Sequence, residues 1–186
     1  MIILGSSSPR RKELMHKITD NFKIIVPLFN EKNLSPNLKN YALEESFHKA
    51  LSLKDKINKE DCLITVDTIV YFNNQIYGKP KNIDEARKFL SSLSNNTHEV
   101  ISGYTIFYNG ITIKREVITK VTFSKLTESQ INNYLKSINV LDKAGAYSIQ
   151  DDTKFHFIKK IDGSFYNVMG LPIEKIKEDL INLKLI

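Results

Sequence analysis

In the run Ser6-Ser7-Ser8-Pro9-Arg10-Arg11-Lys12, three hydroxyls precede a helix start and three cations open the helix. Ser8 fits an N-cap and Pro9 the first helical position. That end of a helix is the positive end of its dipole, where each cation costs about 0.3–1 kcal/mol. An anion bound there reverses the sign. A phosphate suits both the free backbone N–H groups and a bidentate guanidinium. An ordinary exposed helix start in a lysine-rich chain produces the same letters, and the charge pattern alone leaves both readings open. The Gly-x4-Gly-Lys-Ser/Thr spacing of a P-loop is absent.

A second candidate is Asp67, which interrupts the apolar run Leu63-Ile64-Thr65-Val66-Asp67-Thr68-Ile69-Val70. A carboxylate there must be paired, bind a metal, or sit where a strand opens into a cleft. In open α/β sheets, ligands bind beyond the carboxyl ends of strands. An edge strand with one wet face is the plain alternative, and the functional acid is the favoured one. Glu31 can supply a hard oxygen ligand from a loop, although taken alone it is a surface acid. Lys49 lies off the apolar stripe of its helix with Glu45 four residues earlier, which by itself reads as a solvated ion pair. Lys79, in the rigid turn Gly78-Lys79-Pro80, can point at a phosphate. His98 has no partner at a zinc-binding spacing and reads as a structural or solvent histidine. The stretch Asp142–Gln150 mixes small and polar residues, and the amide of Gln150 offers both donor and acceptor to a base edge.

These residues need elements to hold them. Met1–Leu4 reads as a buried strand, followed by a helix over about Arg10–Ile18 and a second strand over Phe22–Pro27. Tyr41–Ile57 reads as a helix with Leu43, Phe47, Ala50, Leu51 and Ile57 on its apolar stripe. Cys62–Phe72 is a long strand rich in β-branched and aromatic residues, and Ile76-Tyr77 turns back to pair with it. Asn82-Ile83-Asp84-Glu85 has capping-box form and opens a helix through Leu93; Thr127–Gln130 repeats the pattern before a second helix. Glu99–Tyr108 and Ile111–Phe123 flank Asn109-Gly110 as a hairpin. Lys154–Ile161 reads as a strand and Pro172–Leu183 as a terminal amphipathic helix. This order implies a mixed α/β fold.

The chain has 186 residues, which predicts one domain or one domain with a small insertion. Its net charge of +6 invites an anionic ligand, nucleic acid included. The lysines are dispersed, however, and there is no basic stripe interleaved with aromatics, which argues against nucleic acid. No apolar run reaches the ~18–20 residues that span a bilayer, and the opening residues lack a basic region before them, so neither a membrane span nor a signal peptide is expected. The single cysteine, Cys62, points to a reducing, cytoplasmic setting.

Taken together, the segments resemble the Maf family of nucleoside triphosphate pyrophosphatases, named for a link to septum formation. The resemblance runs in order through nearly the whole chain. It is carried by Ser6–Leu14, Lys49-Ala50, Asp67–Val70, Gly78-Lys79-Pro80 with Glu85-Ala86, and Thr97–Val100 with Ser102-Gly103. Further on it is carried by Asp142–Tyr147 with Ile149-Gln150, by Gly163-Ser164 and Asn167-Val168, and by Gly170-Leu171-Pro172. Gly78 stands where relatives often carry an acid, Ser148 and Asp151 replace usual glycines, and Ser94-Asn95-Asn96 lacks a common one. These departures bear on loop flexibility and substrate preference more than on the charged set.

The resemblance implies a single domain over residues 1–186, with a mixed twisted sheet flanked by helices in an elongated, two-lobed ITPase-like architecture with a central cleft. It implies hydrolysis of a nucleoside triphosphate to the monophosphate and pyrophosphate. One branch of the family acts on dTTP and UTP and another on methylated GTP; Ala144–Gln150 resembles the former. In that branch the matched acid, Asp67, is the proton acceptor, and Arg10, Thr68 and Gln150 bear on base selectivity. Ser6, Ser8, Arg10, Arg11, Lys49 and Lys79 are then the phosphate-holding set, with Arg11 alternatively bracing the loop. Glu31 and Asp67 are candidate ligands of Mg²⁺ or Mn²⁺. Family members often form homodimers, although no residue pattern fixes an interface. The competing expectations are the methylated-GTP specificity and a non-catalytic nucleotide- or nucleic-acid-binding regulator of septation.

Overall fold

The computed structural model describes residues 1–28 and 40–186. Among these residues, seven strands form one mixed sheet, flanked by helices: β1 (Ile2–Gly5), β2 (Phe22–Ile24), β3 (Cys62–Phe72), β4 (Gln75–Tyr77), β5 (Thr97–Tyr108), β6 (Ile111–Phe123) and β7 (Ile158–Asp162). The order is β2-β1-β3-β5-β6-β7, and β4 pairs with β3. β1 runs parallel to both neighbours, with Leu4 opposite Ile24 and Ile64 and Gly5 opposite Thr65. β4 on β3 and β7 on β6 are antiparallel, so the sheet is mixed as expected. The β5–β6 connection has Asn109 and Gly110 both at positive φ (46° and 80°), the backbone of a type I′ turn.

The chain divides into two compact units. The first comprises residues 1–68, 102–117 and 170–186; the second comprises residues 69–101 and 118–169. The first unit contains α1 (Pro9–Met15), α2 (Tyr41–Leu51) and the terminal helix Ile173–Asn182. One of its apolar clusters is Ile3, Ala50, Leu53 and Leu63, with Phe107 packed against it. The second unit contains the helices Ile83–Leu93, Glu128–Ser137, Asp152–Phe155 and Phe165–Met169. Its core is aromatic, with Phe123, Tyr134, Tyr147 and Phe157 packed among Leu90, Leu93 and Val121.

Several expectations are corrected. Residues 41–57 are not one helix: α2 stops at Leu51, Ser52 Oγ bonds back to the Lys49 carbonyl at 2.8 Å, and Lys54–Lys56 forms a separate 3₁₀ turn. The strand expected over Lys154–Ile161 begins only at Ile158. Residues 152–155 are helical, His156 leaves the helix with φ 54°, and Asp152 Oδ1 captures the Ile158 N–H at 2.7 Å. The second strand ends at Ile24 rather than Pro27. Thr127–Gln130 is a full capping box. Asn82 caps its helix, but the Glu85 carboxylate reaches the Lys81 N–H instead of closing the box.

The stripe on α2 is the most consequential correction. Its buried residues are Ala42, Glu45, Ser46, Lys49 and Ala50, whereas Leu43 and Phe47 are half-buried and Leu51 is exposed. The helix thus turns a face of small and charged residues inward. Gly103 makes the approach close: a Cβ there would lie 2.2 Å from the Leu43 nitrogen and 2.4 Å from the Ala42 carbonyl carbon. Small side chains at Ala42 and Ser46, opposite a glycine, let the backbones meet where larger apolar residues would not fit.

Candidate active site

In the first unit, the parallel pairing of β1 with β3 sets the register of the polar groups. Gly5 lies opposite Thr65, so the Ser6–Ser8 loop leaves β1 at the carboxyl end where Val66, Asp67 and Thr68 follow on β3. Successive strand residues point to opposite faces. Thr65 donates to the Ser46 carbonyl on α2 at 2.7 Å, and Asp67, two residues on, faces the same helix. Lys49 meets Asp67 there, with Nζ 2.6 Å from Oδ1. The two side chains are only 11 % and 15 % exposed, so this pair has lost most of its water. Glu45 Oε2 stands 3.9 Å from the same ammonium, on a side chain that is 1 % exposed. One lysine therefore faces two carboxylates in a shielded place, where charges act more strongly than in water. The solvated Glu45–Lys49 pair suggested by the helix spacing is buried instead.

Thr68 points to the other face. Its Oγ1 lies 2.8 Å from Ser102 Oγ and accepts from Arg11 Nη2 at 3.2 Å. The Arg11 guanidinium also donates from Nη1 to the Val66 carbonyl and from Nε to the Gly170 carbonyl, both at 2.8 Å. Arg11 thus ties α1 to β3 and to the segment that leads into the terminal helix. Ser8 caps α1, its Oγ accepting from the Arg11 N–H at 3.4 Å, and Ser6 Oγ accepts from the Ser8 N–H at 3.1 Å. Both hydroxyls use a lone pair inside the loop and keep an O–H to donate. Arg10 is half-buried in the first turn of α1.

Lys79 and Gln150 belong to the second unit. Lys79 is exposed in its turn. The Gly78 carbonyl accepts from the Gly145 N–H at 3.1 Å, linking that turn to the loop carrying Gln150. Gly145 has φ 67°, and a Cβ on it would lie 2.8 Å from a Val70 methyl, so this crossing requires glycine. Gln150 is exposed, while its neighbour Ile149 is buried. His98 is structural: it is 1 % exposed, its Nε2 lies 2.7 Å from Tyr147 Oη, and the Phe123 ring meets it edge-on at 5.0 Å. Burial lowers its pKa to about 4.

Glu31 lies outside the described residues. Among the described residues, no group of three or more His, Cys, Asp or Glu side chains gathers into a metal cage. Glu45, paired with Lys49 by the helix spacing but expected in solvent, is buried beside it, and Ser102 and the Gly170 carbonyl, named above only within matching segments, bond to Thr68 and Arg11. The available signal for Glu45 was the run of small residues Ala42, Ser46 and Ala50 in helical phase with it, which marks a close-packed face. No helix among the described residues is long and apolar enough to cross a membrane.

Comparison with known proteins gives a consistent result. The family model described as Maf-like protein matches residues 1–183. A dTTP/UTP pyrophosphatase of Clostridium botulinum (strain Okra / Type B1) is 43% identical over 188 residues, covering 98% of this chain and 96% of that protein. One of Clostridium perfringens (strain SM101 / Type A), also called dTTP/UTP pyrophosphatase, is 38% identical over 185 residues, covering 97% and 96%. Among solved structures, the Staphylococcus aureus Ham1 protein superposes with a TM-score of 0.55 at 13% identity, covering 98% of each chain. A HAM1 protein from Coxiella burnetii gives 0.54 at 12% identity, covering 97% of this chain and 98% of that one. These two likenesses bear on the fold alone.

Proposed function

The chain belongs to the Maf family, and on that premise we propose that it is a nucleoside triphosphate pyrophosphatase acting on dTTP and UTP. The observation that carries the reading is the shielded Lys49–Asp67 pair midway along β3, just past the carboxyl end of β1 and the loop of serine hydroxyls that leaves it. The span of the family match supports one functional domain over the whole chain. The single free cysteine, Cys62, supports a reducing setting, and the cytoplasm is the proposed one.

Hydrolysis at the α-phosphorus needs a water deprotonated on one side and a pyrophosphate group leaving on the other. Asp67 is the proposed proton acceptor. Lys49 holds its Oδ1, which leaves Oδ2 to take the proton of the attacking water. As the new α-phosphorus–oxygen bond forms, the bond to the bridging oxygen breaks and its electron pair leaves with pyrophosphate. Charge accumulates on that leaving group, and Arg10, Lys49 and Lys79 are proposed to neutralise it, with Ser6 and Ser8 donating O–H bonds. Of the two roles open to Arg11, its three hydrogen bonds to Gly170, Val66 and Thr68 favour bracing the loop over holding phosphate. Thr68, bonded to Arg11 and Ser102, bears on base choice through that brace, and Gln150 is proposed to read the base.

A divalent ion, Mg²⁺ or Mn²⁺, fits the donor chemistry. Such ions take one or two carboxylates and draw their other ligands from phosphate and water. Asp67 offers a hard oxygen of this kind, and Glu31 is the second proposed ligand. When bound, the ion supplies charge neutralisation on the phosphate oxygens.

The test is pyrophosphate release from dTTP, UTP, CTP and methylated GTP with Mg²⁺ or Mn²⁺. Release from dTTP and UTP together with the monophosphates is expected, and Asp67→Asn should lower kcat by roughly 10²–10⁴-fold. Full activity of Asp67→Asn would exclude the proton-acceptor role. A folded protein that turns over none of the four would overturn the reading.

A further inference from the structure

The turn that presents Gln150 is clamped from beneath by a single buried hydroxyl. Tyr134 is 1 % exposed, wedged edge-on against Phe155 and Phe157 at 4.8 and 5.0 Å between ring centres. Its Oη accepts from the Ser148 N–H at 3.2 Å and donates to Asp151 Oδ2 at 2.9 Å. The one hydroxyl therefore holds the residues on both sides of Ile149-Gln150 and uses its donor and an acceptor site to do so. Ser148 adds a third tie, its Oγ accepting the Gln150 N–H at 3.3 Å. Ile149 is 4 % exposed, packed down into the unit, whereas the side chain of Gln150 is exposed and its amide makes no hydrogen bond among the described residues.

We propose that Tyr134, acting through Ser148 and Asp151, is a positioning residue that fixes the Gln150 turn and so sets how strictly the base is selected. The inference rests on the reading that Gln150 meets the base. An amide reads an edge by offering a donor and an acceptor at fixed places. It excludes a larger base only if the backbone carrying it cannot retreat. A 3₁₀ turn of three residues has little stiffness of its own. Its rigidity must come from what it is tied to, and here the tie is an aromatic side chain whose own position is set by core packing. The selectivity lost on loosening it falls on large bases, because a turn free to back away admits a purine where a fixed one does not.

The experiment compares kcat/KM for dTTP and for GTP in wild type, Tyr134→Phe, Asp151→Asn, Asp151→Ala and Gln150→Ala. Phenylalanine keeps the packed ring and removes both bonds. Asparagine keeps an acceptor for the tyrosine hydroxyl, and alanine does not. The expected result is a dTTP-over-GTP preference lowered roughly tenfold in Tyr134→Phe and Asp151→Ala, through KM, with kcat for dTTP within about twofold and Asp151→Asn close to wild type. Gln150→Ala should lose at least as much preference. Three outcomes overturn the proposal. In the first, the preference is unchanged in Tyr134→Phe while Gln150→Ala loses it, so the base reading stands and the clamp fails. In the second, Asp151→Asn behaves like Asp151→Ala, so the carboxylate charge acts rather than the hydrogen bond. In the third, Gln150→Ala keeps the full preference, so the turn does not read the base and both inferences fall.

Discussion

Acidification should strip stability from this protein through His98, over a window set by its burial. The imidazole is 1 % exposed, its Nε2 faces Tyr147 Oη, and its Nδ1 has no hydrogen-bond partner among the described residues. Protonation would place a charge in this buried site, and that desolvation lowers the pKa from 6.5 to about 4. In the unfolded chain the ring takes a proton near its ordinary 6.5, so between 6.5 and about 4 the unfolded state binds a proton that the folded state refuses. Stability from this group is intact above 6.5, declines as pH falls through the window, and is flat below about 4. The full gap corresponds to about 3 kcal/mol, most of it lost by pH 4.5. That is a sizeable part of the ~5–15 kcal/mol that holds a domain together. Urea unfolding of wild type and His98→Phe at pH 7, 6, 5 and 4.5 isolates the term, since the carboxylates titrate in both proteins. The variant, lacking the bond to Tyr147, should be less stable at pH 7, and the difference should shrink by about 2–3 kcal/mol at pH 4.5. Parallel profiles would refute the argument, because they would mean that the ring gains its proton equally in both states.

Three further outcomes follow from the geometry. Arg11→Lys should not rescue Arg11→Ala: a lysine cannot span the Val66 and Gly170 carbonyls and the Thr68 hydroxyl together, so both variants should lose about 2–4 kcal/mol in urea midpoint measurements, and a fully stable lysine variant would exclude the brace. Gly103→Ala should cost about 1–3 kcal/mol or more and reduce turnover with it, because its Cβ would meet the backbone of the helix that carries Lys49; an unchanged melting temperature would show that α2 can move away freely. Excess chelator should abolish pyrophosphate release while leaving the urea midpoint unchanged, and added Mg²⁺ or Mn²⁺ should restore it; persistent turnover without the ion would exclude the metal-assisted route.

Much of the fold was legible because local rules and burial agree there. The strand Cys62–Phe72 is bounded as its β-branched run predicts, the Asn109-Gly110 turn supplies two positive φ angles, and Thr127–Gln130 closes its capping box. Agreement failed where a side-chain bond to the backbone overrode the preference of the run. Residues 154–157 have strand-like letters, yet the Asp152 side chain and the left-handed His156 hold the chain in a helical turn until Ile158. Of the candidate site, the types and order of Ser6, Ser8, Arg11, Lys49, Asp67 and Thr68 were readable. The partners of each were not, because a hydrogen bond such as Arg11 to Gly170 joins residues far apart in the chain.

From the residues alone came the features that need an account: an acid inside an apolar strand, costly to bury without a partner, and cations at a helix start, opposed by the helix dipole. The residues also dictate the alternation that sends Asp67 and Thr68 to opposite faces of β3. Tertiary structure alone decided which face of α2 turns inward. Periodicity pointed to Leu43, Phe47 and Leu51, but Gly103 admits a close approach only by the small-residue face, and the carboxylate of Asp67 compensates the charge of Lys49 that comes with it. Burial of a charged stripe depends on a counter-charge from another strand, and no pattern within the helix can announce that.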